Sequence, residues 1–150
     1  MKKIFALMTA IVAALAVSSC QKEAPADFYS ASVVTLDATD ITKEAFCLNA
    51  AIDWKCGSSC VGQAGIFINN KPTVSCNNYI VTTNPETLSN EVTKKLHHNI
   101  NNNISHISIM PIYMIAPGET CYYRAYVRAM TASKDEYVYG EIKSFVVPGK

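Results

Sequence analysis

Five side chains, Phe46, Leu48, Ala50, Ile52 and Trp54, recur at every second position, with Cys47, Asn49, Ala51 and Asp53 between them. A period of two marks an extended strand with one face toward a core, because successive side chains leave opposite faces of the pleat. An α-helix would scatter the same set around its cylinder. The alternation returns in residues 121–130. There Cys121, Tyr123, Ala125, Val127 and Ala129 point one way, and Tyr122, Arg124, Tyr126 and Arg128 point the other. Two half-buried strands this far apart in the chain call for an antiparallel sheet packed on a second layer.

The remaining segments mostly agree. Ser32-Val33-Val34-Thr35-Leu36 is a β-branched run ended by Asp37. Gly57-Ser58-Ser59 reads as a turn, residues 64–68 as an apolar run stopped at Asn69-Asn70-Lys71-Pro72, and Tyr79-Ile80-Val81 as a short strand. Leu88, Val92, Leu96 and Ile100 stand four apart, behind Asn84 and Pro85, which suit a helix N-cap and first turn. Glu86 suits the helix dipole. These signals predict a short helix over 84–99, ended by the Asn-rich residues 99–103. Residues 106–115 are apolar but broken by Pro111, as at an edge or bulge. The last strand, 137–147, changes parity between Ile142 and Phe145 if both are buried, and Gly140 suits the bulge this needs. About seven strands over roughly 115 residues predict an all-β, immunoglobulin-like antiparallel β-sandwich with a short inserted helix, over residues 31–150.

The start of the chain is of another kind. Lys2 and Lys3 precede an apolar stretch, residues 4–17, then Ser18, Ser19 and Cys20. This is the layout of a secretory signal, and the apolar stretch is too short to span a bilayer comfortably. Its end, Val17-Ser18-Ser19-Cys20, resembles the lipobox of bacterial lipoproteins. That resemblance implies cleavage after residue 19, with Cys20 the lipid-bearing first residue of the mature chain, and several acyl chains give stable anchorage. Gln21 stands where an aspartate tends to hold such lipoproteins at the inner membrane. Gln21-Lys22-Glu23 resembles in part the surface-export signal of Bacteroidetes lipoproteins. Residues 20–30, with Pro25 and no periodicity, read as a lipidated tether.

A second resemblance lies at the other end. Ile115-Ala116-Pro117-Gly118-Glu119-Thr120-Cys121-Tyr122-Tyr123-Arg124-Ala125-Tyr126-Val127, then Tyr139-Gly140-Glu141-Ile142-Lys143-Ser144-Phe145, resembles the end of fibronectin type III-like domains in Bacteroidetes lipoproteins. Asp40-Ile41-Thr42 leading into 45–52, and Gly65-Ile66-Phe67-Ile68 before Pro72-Thr73, look like the second and third strands of such a domain. The sequence departs from the pattern at Cys121, which stands where the family has the tyrosine closing its corner, in the long insert at 84–99, and in cysteine content.

Leaving Cys20 aside, five cysteines remain, and an exported protein can keep disulfides. Cys56 and Cys60 flank the Gly57-Ser58-Ser59 turn and form the easiest bridge. Their three-residue spacer differs from the two-residue spacer of a thioredoxin-type redox pair. Cys47 and Cys121 fall on opposite faces of their strands, so their sulfurs do not meet, and Cys121 is expected to be a buried free thiol or to pair elsewhere. On the predicted helix His97 and His98 point about 100° apart. With His106 they show no acid or cysteine at ligand spacing, so they read as surface residues and no metal or cofactor is expected. No serine sits in a Gly-x-Ser-x-Gly elbow, and the chain reads as non-catalytic. The outward row Tyr122, Arg124, Tyr126 and Arg128 is the candidate binding face, since Tyr and Arg are enriched at binding hot spots. The plainer reading is that these rings and guanidinium groups stack to cover a half-exposed sheet.

Composition excludes several classes. Losing residues 1–19 removes Lys2 and Lys3 and no acid, so 13 basic residues become 11 against 12 acidic and the balance turns from +1 to −1. No basic excess points to nucleic acid, and no second apolar stretch could span a bilayer. The expected protein is an exported lipoprotein of the outer membrane, at its periplasmic face or the cell surface, held to the membrane through Cys20. Its module would serve adhesion, or glycan or protein binding, or act as a spacer. The alternatives are a structural subunit of a surface complex without its own ligand and, more weakly, a small hydrolase.

Overall fold

The computed structural model describes residues 25–104 and 111–149, and the chain over them is β-structure without helix. The strands are β1 (Tyr29–Thr35), β2 (Ala45–Cys56), β3 (Val61–Asn69), β4 (Val81–Thr82), β5 (Glu86–Leu88), β6 (Glu91–Asn101), β7 (Thr120–Met130), β8 (Asp135–Tyr139) and β9 (Lys143–Val146). They form two antiparallel sheets. One has the order β1-β2-β6; the other runs β4-β3-β7-β8, with β5 also on β3 and β9 also on β7. The sheets face each other as a sandwich.

The core sits between them, and period-two patterning fills it. β2 contributes Phe46, Leu48, Ala50, Ile52 and Trp54, β3 contributes Ala64, Ile66 and Ile68, and β7 contributes Cys121, Tyr123, Ala125, Val127 and Ala129, all buried. Phe46 meets Phe145 edge-on at 4.9 Å between ring centroids. The Tyr123 hydroxyl donates to the Leu36 carbonyl at 2.9 Å, so this buried ring ties β7 to the end of β1. Asn102, fully buried, donates from its amide to the carbonyls of Lys43 and Ile115 and accepts from the Ile115 amide, each at 2.9 Å. It thereby closes the end of the sandwich where buried backbone groups would otherwise lack partners.

The helix expected over 84–99 is absent. Those residues form β5 and most of β6, and β6 pairs along its whole length with β2, from Lys55↔Glu91 to Ala45↔Asn101. A spacing of four is even, so Val92, Leu96 and Ile100 also fall on one face of β6, while Leu88 lies in β5 on the other sheet. The β-branched Val92, Thr93 and Ile100 favour that outcome. In consequence His97 and His98 point to opposite faces rather than about 100° apart.

The last strand does break. Tyr126 pairs with Tyr139 and Tyr123 with Lys143, so one extra residue lies in the edge strand between them. The bulge sends Tyr139 outward and Phe145 inward although they are six positions apart, and it leaves Ile142 exposed rather than buried. Gly140 sits in it. A Cβ there would lie 2.5 Å from Thr35 Oγ1 and 2.7 Å from Thr35 N, so the close approach of β1 requires glycine. Thr35 Oγ1 in turn accepts from Ala125 N at 3.1 Å, joining the two sheets.

Residues 25–30, the later part of the segment expected as a tether, belong to the fold. Gly57 N donates to Phe28 O at 2.8 Å and Ser59 N to Ala26 O at 2.9 Å, so the chain entering β1 lies against the β2–β3 arch. The first half of the strand expected at 106–115, residues 106–110, lies outside the described residues. Its end pairs back on the chain leaving β6, through Ile104 N to Ile112 O and Met114 N to Asn102 O, each 2.9 Å.

Candidate functional site

The outward row on β7 shares one face, as its parity requires, and its groups are engaged within the fold. Tyr126 is 3% exposed, stacks on Phe67 at 4.1 Å and lies 3.2 Å from Thr82 Oγ1 through its hydroxyl. Arg124 donates from Nε to the Gly140 carbonyl at 2.7 Å and lies over the Tyr139 ring at 4.3 Å. Arg128 makes a two-pronged pair with Asp135, at 2.7 and 2.6 Å, and lies over Tyr137. The hydrogen bond from Arg128 holds the Asp135 carboxyl below its ordinary value. Tyr122 is half-buried in the same cluster, and the chain between β3 and β4 covers it with Val74. Stacked rings and guanidinium groups thus cover much of this sheet face.

The opposite outer surface, on β1, β2 and β6, is open. Pairing lines its side chains into three rungs: Ser32–Asp53–Thr93, Val34–Ala51–Lys95, and Asn49–His97. Two shallow basins lie across them, of about 320 Å³ around Val34, Ala51 and Lys95 and about 440 Å³ around Thr39, Asn49 and His97. They share Lys95.

Beneath the second basin three groups converge that the sequence did not flag together. Cys47 Sγ lies 3.1 Å from His97 Nδ1 and 3.2 Å from Nε2, and the same Nδ1 lies 2.6 Å from Asn49 Oδ1. The Asn49 amide donates to the Asp37 carbonyl at 2.9 Å and to Thr39 Oγ1 at 3.2 Å. A thiol, an imidazole and an amide invite comparison with a nucleophile, its base and an orienting group. The arrangement differs from such a relay. Asn49 and the thiol approach the same ring nitrogen, and Cys47 is fully buried under Thr39, whose backbone pairs with it in both directions. Burial raises the thiol pKa, the opposite of activation. The trio therefore acts as a fixed support for the basin above it. Placing His97 beside Asn49 takes both the strand over 91–101 and its register on β2, and the helical reading of 84–99 hid the first.

His98 projects to the other side of β6, where its Nε2 lies 3.5 Å from Glu86 Oε1 without forming a hydrogen bond, and Lys94 pairs with the other oxygen of Glu86. Burial holds His98 below its ordinary pKa, with Glu86 opposing. Among the described residues no group of three or more His, Cys, Asp or Glu is placed to hold a metal ion.

Cys56 and Cys60 are brought together at the arch, with Cys56 Sγ 3.2 Å from the Cys60 carbonyl; both are buried free thiols, as are Cys47 and Cys121, while Cys76 is a half-buried one. Burial pushes the Cys60 thiol up to about 11. Cys20 and His106 lie outside the described residues.

No protein-family model matches the chain, and no curated protein matches it. Among solved structures, the sensor domain of the anti-sigma factor RsgI4 from Pseudobacteroides cellulosolvens is similar at 9% identity and a TM-score of 0.40, over 81% of this chain and 92% of that one. So low an overlap has no bearing on function.

Proposed function

We propose that this chain is an exported lipoprotein anchored in the outer membrane through Cys20, whose single fibronectin type III-like sandwich is a non-catalytic binding or spacer module. The observation that carries the reading is the leader ending in Val17-Ser18-Ser19-Cys20 directly ahead of one small β-sandwich. The two unequal antiparallel sheets support the fibronectin-like part of it. Export also puts Cys56 and Cys60 in an oxidising compartment, where they form a bridge across the arch. Counting reactive thiols in the unfolded protein before and after reduction reads that bridge; no gain on reduction refutes it.

The anchor is tested by growing cells with an alkyne fatty acid. The wild-type chain takes up the label and fractionates with membranes. Cys20→Ala loses the label and leaves an uncleaved precursor. Labelling that survives Cys20→Ala, or a wild-type chain that stays unlabelled, overturns the anchor.

A further inference from the structure

We propose that the groove across the outer face of β1, β2 and β6 binds a short oligosaccharide, seated on Val34, Ala51 and the Lys95 stem. This rests on the binding-module reading and places its ligand on the sheet opposite the Tyr–Arg row.

The groove is deepest where a small side chain occupies its middle. Ala51 on β2 stands between Val34 on β1 and Lys95 on β6, and in the next rung Asp53 stands between Ser32 and Thr93. Three rungs, each two residues from the next, give it a length of about 13–14 Å. Its basins, about 320 and 440 Å³, fall in the usual size range of small-ligand sites.

Its chemistry is divided in the way a pyranose ring is. The floor is apolar: Val34, 49% exposed, with the Ala51 methyl and the Lys95 methylenes. The rim carries hydroxyl, carboxylate, amide and imidazole groups. A sugar ring has the matching halves, an apolar C–H face and an edge of hydroxyls that both donate and accept. Ligand sites generally combine such an apolar lining with a few polar groups that fix orientation.

The rim is set before a ligand arrives. Thr93 Oγ1 donates to Asp53 at 3.1 Å, and Asn49 is locked by Asp37, Thr39 and His97. Groups already held in place lose little freedom on binding. Charge narrows the ligand further. Lys143 pairs with Asp37 at 2.6 Å, which leaves Asp53 and Lys95 facing the groove with opposite signs. Among the described residues Lys95 has no ion-pair or hydrogen-bond partner. One cation opposite one acid favours a neutral polyol over phosphate or an acidic peptide.

The test is a glycan array carrying neutral and acidic glycans, probed with the full lipidated chain in detergent, followed by titration of the best neutral hit. Ala51→Arg fills the floor at a half-exposed position. Lys95→Ala opens one wall and covers the case in which Ala51→Arg fails to fold. Both are expected to weaken binding about tenfold or more, roughly 1.4 kcal/mol, while Tyr122→Ala leaves it in place. Binding that survives Ala51→Arg or Lys95→Ala in folded protein overturns the groove. If Tyr122→Ala abolishes that binding instead, the binding-module reading stands and the other sheet is the site. An array with no neutral hit also overturns the groove, while fatty-acid labelling of Cys20 still judges the lipoprotein reading separately.

Discussion

Cys121 lies on the inner face of β7 opposite Phe145, fully buried. Burial pushes its thiol up to about 12 from an ordinary 9.0. The folded chain therefore resists losing this proton, whereas the unfolded chain gives it up near 9.0. The stabilisation is complete below that value and is lost as pH climbs toward about 12. Tyr123, also raised to about 12 by burial, adds to the fall from its ordinary 10.0 upward. We expect the urea midpoint to drop as pH is raised past 9, and to drop less in Cys121→Ala, measured against that variant's own value at neutral pH. An identical pH dependence in the two proteins would place the thiol in water. The inward position of Cys121 was legible in the sequence from strand parity alone. The contact of Cys47 with His97 was not, because it needs the register of β2 on β6, and register is a tertiary property.

At the scale of elements, sequence patterning was sufficient where period two stood unopposed, as in β2 and β7. It failed at β6, where apolar residues four apart satisfy a helix and a strand alike and the Asn84-Pro85 start signal tilted the choice. Burial against β2 decided the matter, as tertiary packing commonly overrides local propensity. The bulge between β8 and β9 was expected at Gly140, but the parity argument for it assumed a buried Ile142, which is exposed; the extra residue shows instead in the pairing of Tyr139 and Lys143 with β7. The sequence did not reveal why glycine is needed. The reason is Thr35, whose hydroxyl and amide occupy the space a Cβ would take. Gly140→Ala should push β1 from β7, disturb the Thr35 bond to Ala125, and destabilise the fold by about 1–3 kcal/mol. Gly149→Ala is the comparison, since a Cβ there meets nothing within 4 Å. Equal denaturation midpoints for the two variants would show that the bulge accommodates a methyl group.

For the whole molecule, the proposed anchor and the fold together predict an orientation. Five residue steps separate Cys20 from Pro25, a reach of at most about 16–18 Å. Residues 26 and 28 then hydrogen-bond to Ser59 and Gly57, so the chain enters at the end of the sandwich that carries the β2–β3 arch. Pro25, Asp27 and Phe28 also line a surface recess with Lys134, which puts the turn between β7 and β8 at that same end. β2, twelve residues long, carries the fold about 40 Å toward the opposite end, where Glu44 lies. Lipidation of Cys20, as proposed, would therefore hold Ser59 and Lys134 near the bilayer and Glu44 far from it, with the proposed groove along the flank and clear of the lipid surface. The lipidated protein in vesicles, labelled with a fluorophore at position 59 or at position 44, should show strong quenching by headgroup-borne quenchers at the first and weak quenching at the second. Equal quenching would mean that the sandwich lies on its side, and the reverse order that it stands the other way up; either result overturns this orientation.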